Sequence, residues 1–235
     1  MNQCITIQKM YEVLLSTYGP QGWWPLLSHK GENPTKTGSI QGYHPGDYSF
    51  PKNEQQRFEI CVGAILTQNT NWTNVEKALL ALQKHCTLTP QEMIKIDDSS
   101  LKEAIRPAGY FNQKAKKLKI FTQFFLHLNG RTPKREELLN IWGIGPETAD
   151  SILLYAYAQP EFVVDAYTKR IFTHLGISSP GASYEEVKAT VQEELETDFR
   201  VFQELHALLV EHAKRWYAKK PYSDPLLEIK TQQGK

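Results

Sequence analysis

Leu138-Leu139-Asn140-Ile141-Trp142-Gly143-Ile144-Gly145-Pro146-Glu147-Thr148-Ala149-Asp150 sets a glycine-bracketed turn between two helical patterns. Before it, residues 135–141 have helix-forming composition. After it, Ala149, Ile152, Leu153 and Ala156 recur at helical spacing. Between the two patterns Gly143 and Gly145 flank Ile144, and Pro146 suits the first position of a new helix, where a missing N–H costs nothing. The amides of such a turn and the start of the second helix converge on one spot and make an anion site. A phosphate held this way fixes position and carries no sequence information. An ordinary helix–turn–helix corner gives the same local pattern.

A second signal follows at Phe162-Val163-Val164-Asp165-Ala166-Tyr167-Thr168-Lys169-Arg170. An apolar, extended-looking run ends in one carboxylate, and a helix follows. An aspartate there caps the helix, and the helix dipole favours its ionised form.

Elsewhere helical patterns dominate. They cover 5–18, 55–67, 71–85, 90–96, 99–106, 112–128, 135–141, 147–158, 166–175, 184–197 and 201–219. The fold class expected is all-α. Residues 28–54 are polar and rich in glycine and proline, and read as a long loop with a short hairpin around Tyr43–Tyr48. No apolar stretch reaches membrane length, and no signal-peptide core is present at the N-terminus, which points to a cytoplasmic protein. Three scattered cysteines, Cys4, Cys61 and Cys86, do not make a disulfide framework. Cys61 lies in an apolar helix and reads as a core residue. Of the five tryptophans, Trp142 and Trp216 read as core, while Trp24 and Trp72 suit core and pocket equally. The net charge is +1, yet residues 106–119 hold five basic side chains (Arg106, Lys114, Lys116, Lys117, Lys119) and no acid. Such a patch is the usual footprint of nucleic acid, and a solvated helix face carries lysines too.

The hairpin, the aspartate, Gly63-Ala64-Ile65-Leu66-Thr67-Gln68-Asn69-Thr70 and Arg106-Pro107-Ala108-Gly109-Tyr110-Phe111-Asn112-Gln113-Lys114-Ala115-Lys116 stand in one order. In that order they resemble the endonuclease III-like helix–hairpin–helix superfamily of DNA glycosylases, from about Trp23 to Tyr217. The resemblance implies two helical lobes, residues 55–150 in one, 1–54 and 151–235 in the other, with the active site in the cleft between them. It implies damaged double-stranded DNA as partner and Asp165 as the catalytic carboxylate. It implies Gln68 as the wedge that fills the gap left by a flipped base, at a flipping cost of a few kcal/mol. Gln68 would otherwise cap the turn beside it, and Asn69 is expected to cap. Gly143, Ile144, Gly145 and Lys114 are the expected phosphate contacts. Bifunctional members carry a lysine two positions after the second hairpin glycine. Here Glu147 stands there, which cannot form a Schiff base, so release of the base without strand cleavage is expected.

The segment after His212 contains no cysteine, so no iron–sulfur cluster and no metal are expected. Tyr217, Tyr222 and the prolines are left to pack that turn. The layout is most similar to the iron–sulfur-free 3-methyladenine DNA glycosylases. That similarity implies a base pocket from Trp24, Pro25, Trp72 and Lys214, with Trp23 beside them. A base made cationic by methylation would be drawn to aromatic faces by about 2 kcal/mol, roughly 30-fold in binding. A buried Lys214 with a depressed pKa could carry a carbamate, and a solvated lysine on DNA is the plain alternative. A monomer is expected. The other activities weighed are uracil or mismatched-thymine excision, endonuclease III-like lyase action on oxidised pyrimidines, and a non-catalytic helix–hairpin–helix DNA-binding module.

Overall fold

The computed structural model describes residues 5–36, 39, 41–85 and 88–228. Among these residues the fold is all-α, with eleven α-helices and no strand. They are α1 (Ile7–Tyr18), α2 (Glu54–Leu66), α3 (Trp72–His85), α4 (Pro90–Lys95), α5 (Asp98–Ala104), α6 (Phe111–Leu128), α7 (Arg135–Leu139), α8 (Pro146–Ser151), α9 (Ala166–Leu175), α10 (Tyr184–Glu194) and α11 (Phe199–Trp216). A 3₁₀ turn covers Arg106–Ala108, and α8 runs into a π-helical turn at Ile152–Ala156.

Local chemistry sets most of the boundaries. Thr6, Asn53, Thr89, Asp97 and Ser183 each cap a helix start by accepting a backbone N–H two or three residues inside it. The cap of α3 is Asn71, which accepts from the amide of Asn74. Asn69, the residue expected to cap, instead occupies the left-handed region at φ +54° and turns the chain between α2 and α3.

Apolar faces then sort the helices. Every residue of α2 from Phe58 to Leu66 is buried, so this helix is surrounded on all sides. It packs on α3, α6 and α8, and α4 and α5 pack on α6. On the other side α1 packs on α10 and α11, and α9 on α11. The π-turn touches both α2 and α11 and joins the two sets. Cys61 is a fully buried core residue; Cys4 and Cys86 lie outside the described residues.

Several expectations need correction. Trp142 is 48% and Trp216 38% exposed. Trp142 sits on the hairpin turn under the ammonium of Lys116, and Trp216 donates to the Tyr18 hydroxyl. Residues 162–164 form no strand, and Tyr43–Tyr48 forms a turn closed by Asp47 N–H on His44 O, not a hairpin. The segment from Gln21 to Tyr48 is pinned by three carboxylates, of which those of Glu59 and Glu204 are buried. Glu59 of α2 accepts from the Leu27 amide, Glu204 of α11 accepts from the Gln21 amide and the Tyr48 hydroxyl, and Glu76 of α3 accepts from Ser39. The terminal turn is packed by Tyr217 and Tyr222, with His212 and Tyr217 both bonded to buried Asp224.

Candidate active site

Asp165 is the N-cap of α9. Its Oδ1 accepts from Thr168 N at 2.7 Å and Thr168 Oγ1 at 2.9 Å. Its Oδ2 is left for the cavity beside it, with His206 Nε2 at 3.8 Å. The buried run Phe162-Val163-Val164 anchors the chain before it. The amide of Val164 donates to the Tyr184 hydroxyl, which donates in turn to Asp150 Oδ2 at 2.8 Å. The cap role and a cavity-facing oxygen therefore coexist in one side chain.

The cavity has a volume of about 240 Å³. Trp23, Trp24 and Trp72 form one wall as an edge-to-face cluster, with Trp72 centred 4.8 Å from Trp23 and 5.4 Å from Trp24. Their indole N–H groups are buried without a hydrogen-bond partner among the described residues. Gly63 of α2 makes room for Trp24, because a Cβ there would stand 3.0 Å from the indole nitrogen. Asn33, Thr35, Ser39 and Tyr43 from the long loop form the lip. Asp165, Glu147, His206 and Lys214 bring the titratable groups.

These groups are perturbed. Glu147 opens to the cleft on one side, yet the protein around its carboxyl, and after that the charge of Asp165, push its pKa up to about 7 against the opposing Lys169. Burial lowers the pKa of His206, and Asp165 opposes it. Lys214 is exposed to the cleft and not buried as expected; the protein flanking its ammonium still lowers its pKa, with Glu211 opposing.

The hairpin borders this cavity through Gln68. Gln68 Nε2 donates to Gly143 O and Thr148 Oγ1, and its Oε1 accepts from Lys117. Gly143 is at φ +84°. Ile144 is buried and its amide is taken up by Ile141 O at 3.0 Å. Gly145 is extended, and a Cβ on it would meet nothing in the chain. The amides of Gly143 and Gly145 have no acceptor among the described residues.

The structure thus brings Asp165, Trp24, Trp72, Lys214 and Gln68 to one cavity, with Trp23. Pro25 is not on it; it is buried behind the tryptophans, facing Gly42. Lys114 is corrected as well. It is 2% exposed, and its Nζ donates to the carbonyls of Leu66 and Ala108, the ends of α2 and of the 3₁₀ turn. Two helix-end carbonyls draw the ammonium inside, away from any phosphate. Burial, then the charge of Lys117, lowers its pKa to about 8. Lys119 likewise caps the end of α4 through carbonyls including Met93 and Ile94. His206 was not anticipated. It shares one face of α11 with Val210 and Lys214, a spacing of four that the sequence does display.

No His, Cys, Asp or Glu group among the described residues gathers into a metal-holding cluster. No helix among them is long and apolar enough to cross a membrane.

Known proteins resemble the chain in sequence and in fold. A protein from Methanocaldococcus jannaschii named "Putative DNA repair glycosylase" is 41% identical over 95% of this chain and 94% of its own. Endonuclease III of Thermotoga maritima is 31% identical over 62% of this chain and 71% of its own. Among solved structures, the H. pylori 3-methyladenine DNA glycosylase MagIII bound to 1,N6-ethenoadenine superposes with a TM-score of 0.68 at 24% identity, over 90% of this chain and 98% of that one. A trapped endonuclease III–DNA covalent intermediate superposes with a TM-score of 0.72 at 19% identity, over 94% of each chain. At those identities the superpositions carry the fold alone. The family model for the HhH-GPD superfamily base excision DNA repair protein matches residues 62–197, which span the Gln68 corner, the hairpin and Asp165, and the chain belongs to that superfamily of DNA glycosylases.

Proposed function

We propose that the chain is a monofunctional DNA N-glycosylase that receives a flipped alkylated purine, 3-methyladenine above all, and hydrolyses its N-glycosidic bond with Asp165. The observation that carries the reading is the join of an aromatic wall to a free carboxylate oxygen. Trp23, Trp24 and Trp72 stand on the cavity that Asp165 Oδ2 faces. A methylated purine is cationic, so stacking on indole faces selects it. Its charge also makes it a good leaving group, and the departing base needs no proton. Asp165 then offsets the positive charge that develops on the sugar.

Glu147 supports release without strand cleavage, since a carboxylate lines the cavity at the position where bifunctional members carry their lysine. DNA would be held at the hairpin, where the free amides of Gly143 and Gly145 are exposed and the missing side chain of Gly145 leaves room for an outside group. Gln68, at the corner between cavity and hairpin, suits the wedge. The cysteine-free C-terminal turn, filled by Tyr217, Tyr222 and Asp224, fits a protein without an iron–sulfur cluster.

One observation favours a second reading. Three unpartnered indole N–H groups suit a base rich in acceptors, and the carbonyls of an oxidised pyrimidine or uracil would supply them. Relatives named endonuclease III point the same way. The test is base release from methylated duplex DNA, with free bases resolved by chromatography and strand breaks scored before and after alkali. Release of 3-methyladenine with breaks only after alkali is expected. Release of oxidised pyrimidine or uracil instead would favour the second reading, and a borohydride-trapped protein–DNA adduct would overturn the monofunctional assignment.

A further inference from the structure

His206 lines the cavity and is held from behind through its other ring nitrogen. Its Nδ1 lies 2.7 Å from the Tyr155 hydroxyl, and that hydroxyl lies 3.2 Å from Gln203 O. The phenol has one proton, and the carbonyl can only accept. Both contacts are hydrogen bonds in one arrangement alone, in which the phenol donates to Gln203 O and His206 Nδ1–H donates to the phenol oxygen, and that tautomer is the one assigned. Burial raises the Tyr155 pKa and keeps the phenol protonated. This leaves Nε2 of the neutral imidazole as a bare acceptor. It faces Asp165 Oδ2, a second acceptor, at 3.8 Å, and both residues line the cavity. Two acceptors at that separation do not bond to each other; a water donating one O–H to each satisfies both.

We infer that His206 and Asp165 together hold the hydrolytic water, with His206 Nε2 as its proton acceptor and Tyr155 as the positioning residue that fixes the imidazole tautomer. The inference rests on the glycosylase reading. The C1′–N bond breaks and its electron pair leaves with the cationic base, which departs neutral. The water oxygen bonds to C1′, and its proton passes to His206 Nε2 and then to solvent. One cationic nucleotide and one water give a neutral base, an abasic sugar and one proton. The imidazolium formed on the way stands beside the Asp165 carboxylate.

The titratable groups around the ring are Asp165 at the start of α9, Glu147 in α8, Tyr155 in the π-turn, and Glu204, Glu211 and Lys214 on its own helix. Burial holds the imidazole toward its neutral, proton-accepting form, and Asp165 pulls the other way.

The experiment is single-turnover base release between about pH 5 and 8 for wild type, His206→Gln, Tyr155→Phe and Glu147→Gln, with DNA affinity measured alongside. His206→Gln should lower the rate about 100-fold or more at unchanged affinity and abolish the rise with pH. Tyr155→Phe removes the acceptor that supports the imidazolium, so the rise should move to lower pH at a reduced rate. A His206→Gln rate within about twofold of wild type, or a uniform drop with the pH rise intact, overturns the inference. So does a rise that disappears only in Glu147→Gln. A wild type that releases no base sinks the glycosylase reading instead. In that event nitrogen NMR of the free protein still decides the proton arrangement: a proton on Nδ1 is expected, and one on Nε2 overturns it.

Discussion

Replacing Asp165 with asparagine separates the two tasks of that side chain. Asparagine is as good an N-cap as aspartate, so the bond to the Thr168 amide persists and the melting temperature should stay close to wild type. The charge facing the cavity disappears, and base release should fall about 100-fold or more in the chromatographic assay. An activity that survived would mean that Asp165 is only a cap. Glu59 gives a prediction on stability. Burial raises its pKa from 4.5 to about 7, against the bond from the Leu27 amide. The folded state therefore holds its proton where the unfolded chain has lost it. The stability linked to this group is greatest below its unfolded pKa and is lost as pH rises toward 7, by about 3 kcal/mol in all. Glu59→Gln keeps an acceptor for Leu27 and should remove that slope, making the variant relatively more stable in urea titrations at alkaline pH. At this scale the family resemblance anticipates which residues meet, since Asp165, Trp24 and Trp72 do line one cavity. The sequence is silent where long-range packing chooses, as for Lys114, whose two carbonyl partners come from elements 48 and 6 residues away.

At the scale of elements, α2 carries the aromatic wall on a glycine. A methyl at Gly63 would stand 3.0 to 3.3 Å from three atoms of the Trp24 indole, closer than ordinary contact. Alanine gains about 1 kcal/mol of helix propensity, which offsets part of the strain. Gly63→Ala is therefore expected to leave the unfolding midpoint nearly unchanged while reducing base release severalfold, about 1 kcal/mol in the barrier. Equal activity would mean that the position of Trp24 does not matter to the base. The π-turn at Ile152–Ala156 is a second device. It delivers Tyr155 to His206 and the Leu154 carbonyl to Gln203, and wide turns of this kind are common at functional sites. Helical periodicity reveals α8 but not the register change that follows, since five apolar residues read alike in either winding. The loop after Trp24 escapes prediction for a related reason: its order comes from single bonds to glutamates on distant helices, and no local pattern announces them.

For the whole molecule, the hairpin is tied to α10 by charge. Asp150, fully buried, accepts from Arg135 on α7, Lys188 on α10 and the Tyr184 hydroxyl. Lys188 also pairs with Glu161, and Arg135 with Glu185. Removing one member leaves the others desolvated and short of a partner. Lys188→Met should lower the unfolding free energy by about 3 kcal/mol in a denaturant titration, and a loss under about 1 kcal/mol would mean the network is solvated in practice. The division into all-helical elements was readable from periodicity. The way this cluster closes them was not, because it joins residues far apart in the chain. The loop pinned by Glu59, Glu76 and Glu204 has a mechanical consequence. Its anchors stand on α2 and α3 on one bank of the cavity and on α11 on the other. A chain moored on both banks acts as a stay that fixes their spacing. On the glycosylase reading proposed above, the distortion that brings a nucleotide to Asp165 then falls on the DNA more than on the protein.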